Sequence, residues 1–280
     1  MGSHSNPHSA GELMDQQSYA IVAVTDMKIL GRYFWVPRYL KKRLWQRVYY
    51  YQSIIRRRSF WTLKTERCEI KLAFVSPYHH SIAESMSTGK WEAAPLHAWA
   101  DLCRQRAGKG GVIYDVGGYN GIYAILAAKI DPSAKVYTYE PDPVNARQCR
   151  VNIALNSVAD RVSVREIALS DIDGMVQFQA SGTSGSAIGR GSRNRVRSEK
   201  LDTQRPEPTI MKVDIEGAEA DMLLAAPRTL KARPPILLEL HAVVSEAKKR
   251  AMWEAIKRNG YNIEQLPPDA HNEEPHYLLS

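Results

Sequence analysis

Three short stretches combine carboxylates with glycine in patterns that suit ligand chemistry. The first is Val112-Ile113-Tyr114-Asp115-Val116-Gly117-Gly118-Tyr119-Asn120-Gly121. An apolar strand runs into an acid, then a glycine turn, then a helix. Glycine lets the backbone turn sharply and approach a ligand, and the helix start beyond it offers free N–H groups. A dinucleotide site would want G-x-G-x-x-G here to hold a pyrophosphate. Counted from Gly117, that pattern puts Tyr119 and Ile122 where glycines are required. Asp115 would also set a carboxylate against the phosphates. It suits a cationic ligand better, such as the amino-acid part of S-adenosylmethionine.

The second stretch is Tyr137-Thr138-Tyr139-Glu140-Pro141-Asp142-Pro143. Its acid closes a strand 19 residues past Gly121. A carboxylate there can accept both hydroxyls of a ribose, and Pro143 suits the first turn of a following helix. The third is Met211-Lys212-Val213-Asp214-Ile215-Glu216-Gly217-Ala218-Glu219. Asp214 falls at a strand end beside the expected cleft. Glu216 and Glu219 open a helix, where the dipole favours negative charge, so helix capping is an equally good account of both.

Together and in this order, the three stretches resemble the FkbM family of S-adenosylmethionine-dependent methyltransferases. The phrase Lys212–Glu219, KVDIEGAE, is the most specific piece. Ala168-Leu169-Ser170-Asp171, Leu201-Asp202 and Gly89-Lys90-Trp91-Glu92 support it. The resemblance runs from about Gly89 to the C-terminus. It departs in the first motif, usually D-x-G-A-N-x-G, because Gly118 and Tyr119 stand at the alanine and asparagine positions; Asn120 is the residue placed to take over the polar contact. The resemblance implies an α/β fold: a Rossmann-like class I methyltransferase, doubly wound, with a mostly parallel seven-stranded sheet whose last strand is antiparallel. It further implies S-adenosyl-L-methionine as cofactor and O-methylation of a hydroxyl on a sugar, glycolipid, glycan or secondary metabolite. Asp115, Gly117, Gly118, Asn120 and Gly121 would surround the methionine portion, Glu140 with Pro141 the ribose, Ala168 the adenine, and Asp214 the cleft beside them.

An alkyl hydroxyl is a poor methyl acceptor unless a base takes its proton as the bond forms. Asp214 and His241 both sit at strand ends facing the cleft. His241 is the preferred base, since an imidazole titrates near neutrality. Glu239, two residues earlier, shares its side of the strand and could orient it or be a buried partner of its own. Asp214 and Glu239 could instead hold a divalent cation such as Mg²⁺ that lowers the hydroxyl pKa. Three acids at clear ligand spacing are not visible, so no residue is assigned as a metal ligand.

Alternating segments must position these groups. Val112–Val116, Val136–Glu140, Val162–Ala168, Ile210–Asp214 and Pro235–His241 read as strands, with Tyr261–Gln265 and His276–Leu279 closing the sheet. Gly121–Ile130, Asn145–Leu155, a segment from about Glu219, and Ser245–Arg258 read as helices between them. That alternation implies parallel β-α-β units, with ligands at the carboxyl ends of the strands. Met175–Gln179 reads as a strand of a local hairpin. Ser181–Glu207, rich in Gly and Ser and then in Arg, reads as a long polar loop, either functional or disordered.

The chain has 280 residues, 44% hydrophobic and 24% charged, which is normal for a soluble globular protein. No run approaches the ~20 apolar residues of a membrane-spanning helix. Cys68, Cys103 and Cys149 show no C-x-x-C spacing, which argues against a zinc or redox motif and for reduced thiols in a cytoplasm. Residues 1–13 resemble a vector leader, residues 14–88 an aromatic, basic extension with a helix over Pro37–Ile55, and residues 89–280 the catalytic domain. The net charge of +8 is concentrated in the extension, with thirteen basic and two acidic residues between Lys28 and Lys71. Three readings of it stay open: a solvated helix face, peripheral contact of residues 27–64 with the inner face of a membrane, or nucleic-acid binding. The last would make the protein an RNA methyltransferase, but no RNA-binding signature is legible. A membrane- or glycan-associated module with a vestigial cofactor site is the non-enzymatic alternative.

Overall fold

The computed structural model describes Arg47 and residues 60–280, apart from 66–67, 75, 89–90, 190–193 and 269–273. The expected leader, the helix over Pro37–Ile55, most of the basic segment and Gly89-Lys90 lie outside the described residues. The chain divides into two compact units, residues 1–60 with 74–83 and residues 61–73 with 84–280. The second carries every motif above.

Its strands are β1 (Phe60–Lys64), β2 (Glu69–Ala73), β3 (Val112–Val116), β4 (Lys135–Tyr139), β5 (Val162–Arg165), β6 (Ala168–Ser170), β7 (Gly174–Gln179), β8 (Ala187–Ile188), β9 (Arg195–Lys200), β10 (Ile210–Val213), β11 (Ile236–Glu239), β12 (Ile263–Gln265) and β13 (His276–Leu279). The helices are α1 (Pro77–Ser87), which crosses the unit boundary, α2 (Ala93–Arg106), α3 (Ile122–Ile130), α4 (Pro143–Leu155), α5 (Glu219–Leu224), α6 (Pro227–Ala232) and α7 (Glu246–Arg258). Seven strands form the main sheet in the order β12-β13-β11-β10-β3-β4-β5. β5, β4, β3, β10 and β11 are parallel, and β13 runs antiparallel to both neighbours. This is the Rossmann-like class I methyltransferase sheet that the motifs implied.

Burial explains the order. All four residues of β10 and all four of β11 are buried, as are the last four of β3. Such uninterrupted runs suit parallel strands covered on both faces. The edge strands β5 and β12 keep exposed positions. Helix α3 is buried from Ile122 through Ala128, so it is apolar all round and belongs to the interior. Trp99 of α2 is fully buried and donates its indole N–H to the Tyr123 carbonyl of α3 at 3.0 Å. Gln148 and Asn152 of α4, and Asn156 just past its end, donate to or accept from the backbone of Lys71 and Ala73, which satisfies polar groups of β2 that no second strand among the described residues covers on that side.

Two segments differ from the expectation. The third strand splits at Glu166: β5 stays in the main sheet, while β6 joins β9 in a second sheet of order β6-β9-β7-β8. Residues 181–207 are therefore no simple loop, because they supply β8 and β9. Polar composition hid β9, in which Ser198 is buried and every other side chain is at least partly exposed. Backbone pairing with β7 and β6 holds it rather than apolar burial.

The sheet also fixes the glycine turn after β3. A Cβ on Gly117 would lie 1.6 Å from the Asp214 carbonyl oxygen, and the residue sits at φ +86°. Replacing Gly117 with alanine should therefore cost about 2–4 kcal/mol through strain and collision. Gly189, with no atom of the described residues within 4 Å of an added Cβ, should accept alanine with little change. Urea unfolding midpoints of the two variants check the contrast.

Candidate active site

The carboxyl ends of the main strands converge on a cavity of ≈340 Å³. Its wall is assembled from the three motifs outward. Gly117 and Gly118 both donate their N–H groups to the Tyr139 carbonyl, at 3.0 and 3.1 Å, so the glycine turn is tied to the end of β4. Tyr119 follows in the left-handed region at φ 45°. Its N–H donates to Glu140 Oε2 at 2.8 Å, and the Asp142 N–H donates to Oε1, also at 2.8 Å. Each carboxylate oxygen of Glu140 is thus oriented by one amide and keeps a lone pair for a ligand. Burial pushes this carboxyl up to about 8 despite the two amides.

Asp142 is the N-cap of α4 and accepts from the Val144 and Asn145 amides, with Pro143 in the first turn. Its other oxygen accepts from the Gly182 N–H at 2.8 Å and the Ser186 hydroxyl at 2.7 Å. Burial would raise its pKa, but these donors outweigh it and hold the carboxyl below its ordinary value. Asp142 therefore pins the 181–186 segment to the cavity rim, and Ser184, Ser186 and Ile188 line the wall with Phe178.

Asp115 is fully buried. It accepts from Thr138 Oγ1 at 3.1 Å, and its Oδ1 has no partner among the described residues. Burial raises its pKa to about 6, against the pull of Lys212 and Thr138. Lys212 is buried too: its ammonium donates to Asp214 Oδ2 at 2.7 Å and to the Gly117 carbonyl at 3.2 Å, and lies 4.8 Å from the Tyr123 ring centroid. Burial would lower its pKa, yet Asp214, Asp115 and Glu92 hold it above the ordinary lysine value.

His241 lies two residues beyond the end of β11 and is buried. Its Nδ1 is 2.8 Å from Glu219 Oε1, while its Nε2 faces Glu216 at 3.4 Å, Asp214 at 3.8 Å and Glu239 at 4.0 Å. Burial would lower its pKa, but the Glu219 hydrogen bond and the charges of Asp214, Glu219 and Glu216 outweigh it and push it up to about 9. Glu239 also lies 3.2 Å from His276 Nε2.

Among the residues read from the sequence, Gly117, Glu140, Pro141, Ala168, Asp214, Glu239 and His241 line the cavity. Asp115, Gly118, Asn120 and Gly121 stand behind it. Asn120 caps α3 by accepting the Ile122 N–H at 3.1 Å and does not face the cavity. A Cβ on Gly118 would collide with Thr138 Oγ1 at 1.9 Å, so packing requires this glycine. Leu201-Asp202 is an anchor: Asp202 accepts the Arg228 and Thr229 amides at the start of α6. Three further carboxylates belong to the site. Glu92 is buried on the wall at φ 46°, and the Tyr123 hydroxyl donates to it at 2.5 Å. Glu216 lines the cavity, and Glu219 holds His241. The last two looked like helix caps in the sequence; their links to a histidine 25 and 22 residues downstream left no local signal.

Residues 115–263 match the Methyltransferase FkbM domain. The chain belongs to the FkbM methyltransferase family. Two curated relatives are the 2-O-methyltransferase NoeI of Sinorhizobium fredii and the hexuronic acid methyltransferase AglP of Haloferax volcanii. NoeI is 26% identical over 145 residues, 42% of this chain and 58% of that protein, so the match spans little more than half of its length. AglP is 25% identical over 205 residues, 69% of this chain and 84% of that protein. Among solved structures, the precorrin-6y C5,15-methyltransferase of Geobacter metallireducens aligns at TM-score 0.41 and 17% identity, over 66% of this chain and 86% of that one.

The Glu140 shift sets a pH dependence for this FkbM-family chain. The carboxyl ionises near 4.5 when unfolded and near 8 when folded. Across that window the native state holds the extra proton, so the Glu140 contribution to stability is full below the unfolded value and is lost as pH rises through the folded one. Urea midpoints at pH 5, 6.5 and 8 should therefore fall more steeply for the wild type than for Glu140→Gln. Parallel slopes would remove Glu140 as the cause.

Proposed function

We propose that this chain is an S-adenosylmethionine-dependent O-methyltransferase whose acceptor is a hydroxyl of a sugar, a glycan or a related polyol. The observation that carries the reading is the setting of Glu140, a buried carboxylate whose two oxygens are oriented by amides at the rim of the cavity. It lies at the end of the strand next to β3, where a nucleoside ribose meets a doubly wound sheet. The remaining residues fit the same ligand. Ile167, Ala168, Leu169 and Phe178 give an apolar slot for a flat base. The relatives, a 2-O-methyltransferase and a hexuronic acid methyltransferase, favour a sugar oxygen as the methyl acceptor. Most of the basic extension that motivated an RNA substrate lies outside the described residues.

When bound, the cofactor supplies a methyl on a sulfonium, whose C–S electrons return to sulfur as the acceptor oxygen takes the methyl. The chain does the rest. Glu140 and the apolar slot fix the nucleoside end, which aligns the reacting atoms. His241, Asp214 and Glu239 stand together at the floor, where the hydroxyl proton must be received.

Titration calorimetry with S-adenosylhomocysteine should show micromolar binding by the wild type. Glu140→Ala should weaken it at least about tenfold, the loss of two hydrogen bonds at once. His241→Ala should bind the product normally and slow methyl transfer by about 10²-fold or more. Absence of binding by the wild type would overturn the assignment.

A further inference from the structure

We propose that Asp214, Glu216 and His241 hold a divalent cation at the floor of the cavity, and that this cation docks the acceptor through its hydroxyl oxygens. The second half rests on the methyltransferase reading; the first stands on the geometry alone.

Each residue offers one ligand atom, and the three atoms lie within 4.8 Å of one another. His241 Nε2 is 3.4 Å from Glu216 Oε2 and 3.8 Å from Asp214 Oδ1. An ion with ligands at about 2.0–2.2 Å sets neighbouring ligand atoms about 3–3.6 Å apart, so small side-chain shifts close the site.

The surroundings of each ligand point the same way. His241 is only 7% exposed. Its Nδ1 is held by Glu219 Oε1, an oxygen that also accepts the Ile215 and Gly217 amides and is thereby fixed. Nε2 is aimed into the cavity, without a hydrogen bond among the described residues. A carboxylate on the far nitrogen is the usual support of a metal-bound histidine. Asp214 spends Oδ2 on Lys212 and turns Oδ1 towards His241. Glu216 leaves the helix start at φ 55° and caps nothing; among the described residues, His241 is the only cationic group within ion-pair distance of it.

Two carboxylate oxygens and one imidazole nitrogen suit Mg²⁺ or Mn²⁺. All three ligands line the cavity, so the remaining coordination positions face a bound acceptor. A hydroxyl placed there loses its proton more readily. His241 is then a ligand, and Glu239, on the same wall, receives the proton as the oxygen takes the methyl.

The test is a Mn²⁺ titration of the metal-stripped full chain, followed by electron paramagnetic resonance with and without S-adenosylhomocysteine. One saturable ion per chain is expected, with nitrogen hyperfine coupling from a single imidazole that disappears in His241→Gln. Glu219→Gln should weaken Mn²⁺ about 10–100-fold. Glu216→Gln should weaken Mn²⁺ at least tenfold while S-adenosylhomocysteine affinity stays at the wild-type level. Circular dichroism melts establish that the variants are folded, and the wild-type nitrogen coupling needs no variant. No saturable Mn²⁺ at millimolar concentration, or saturable binding without nitrogen coupling, would overturn the proposal and leave a plain ion-pair cluster. Mn²⁺ bound as described by a chain that does not bind S-adenosylhomocysteine would keep the cation site and sink the methyltransferase reading instead.

Discussion

An ammonium removed from water is tolerated only where opposite charge and carbonyl oxygens replace its hydration. Lys212 meets that condition in the middle of the sheet, between the Asp214 carboxylate and the Gly117 carbonyl. Its register partner on β3 is Asp115, a second buried carboxylate. The cation therefore joins the two central strands exactly where their ends become the cavity floor. Removing the charge would take away the cation that stabilises both Asp115 and Asp214. The close approach it bridges is also what forbids a side chain at Gly117.

From this junction the wall follows step by step. The turn after β3 cannot relax away from β10, so its amides are presented to the end of β4, where the Tyr139 carbonyl and the Glu140 carboxylate take them. Glu140 is held in turn by the Asp142 amide, and Asp142 ties in the segment that closes the rim. Glu140 accepts one amide on each oxygen and keeps a lone pair on each for a ligand. The wall is thus preorganised before any ligand enters, so less ordering remains to oppose binding.

The sequence made the sheet legible because its central strands have an unambiguous pattern. Runs such as Ile210–Val213 and Ile236–Glu239 are buried on both faces, and short apolar runs between helical periods have few other readings. The motifs placed Gly117, Glu140, Asp214 and His241 on one cavity for the same reason: each lies at or just past a strand end, and parallel strands present those ends together. The second sheet was not legible. β9 reads Arg-Val-Arg-Ser-Glu-Lys, and backbone pairing leaves no mark on side-chain composition. The split at Glu166 was hidden because β5 and β6 are separated by only two residues.

The role of the Glu216–Glu219 pair was hidden by a different ambiguity. Acids at a helix start are favoured by the dipole wherever they occur, so their presence in KVDIEGAE carries two meanings at once. The structure separates them by where each carboxylate goes. Glu219 does accept turn amides, as a cap should, but the same oxygen also holds the imidazole of His241. Glu216 accepts none and turns to the opposite ring nitrogen. One acid thus fixes the histidine from behind while the other faces its free side, an arrangement that a capping role alone does not require. A left-handed residue such as Glu216 costs about 1–3 kcal/mol when it is not glycine. The backbone at φ 55° bears that cost and aims the carboxylate at the cavity rather than at the turn amides.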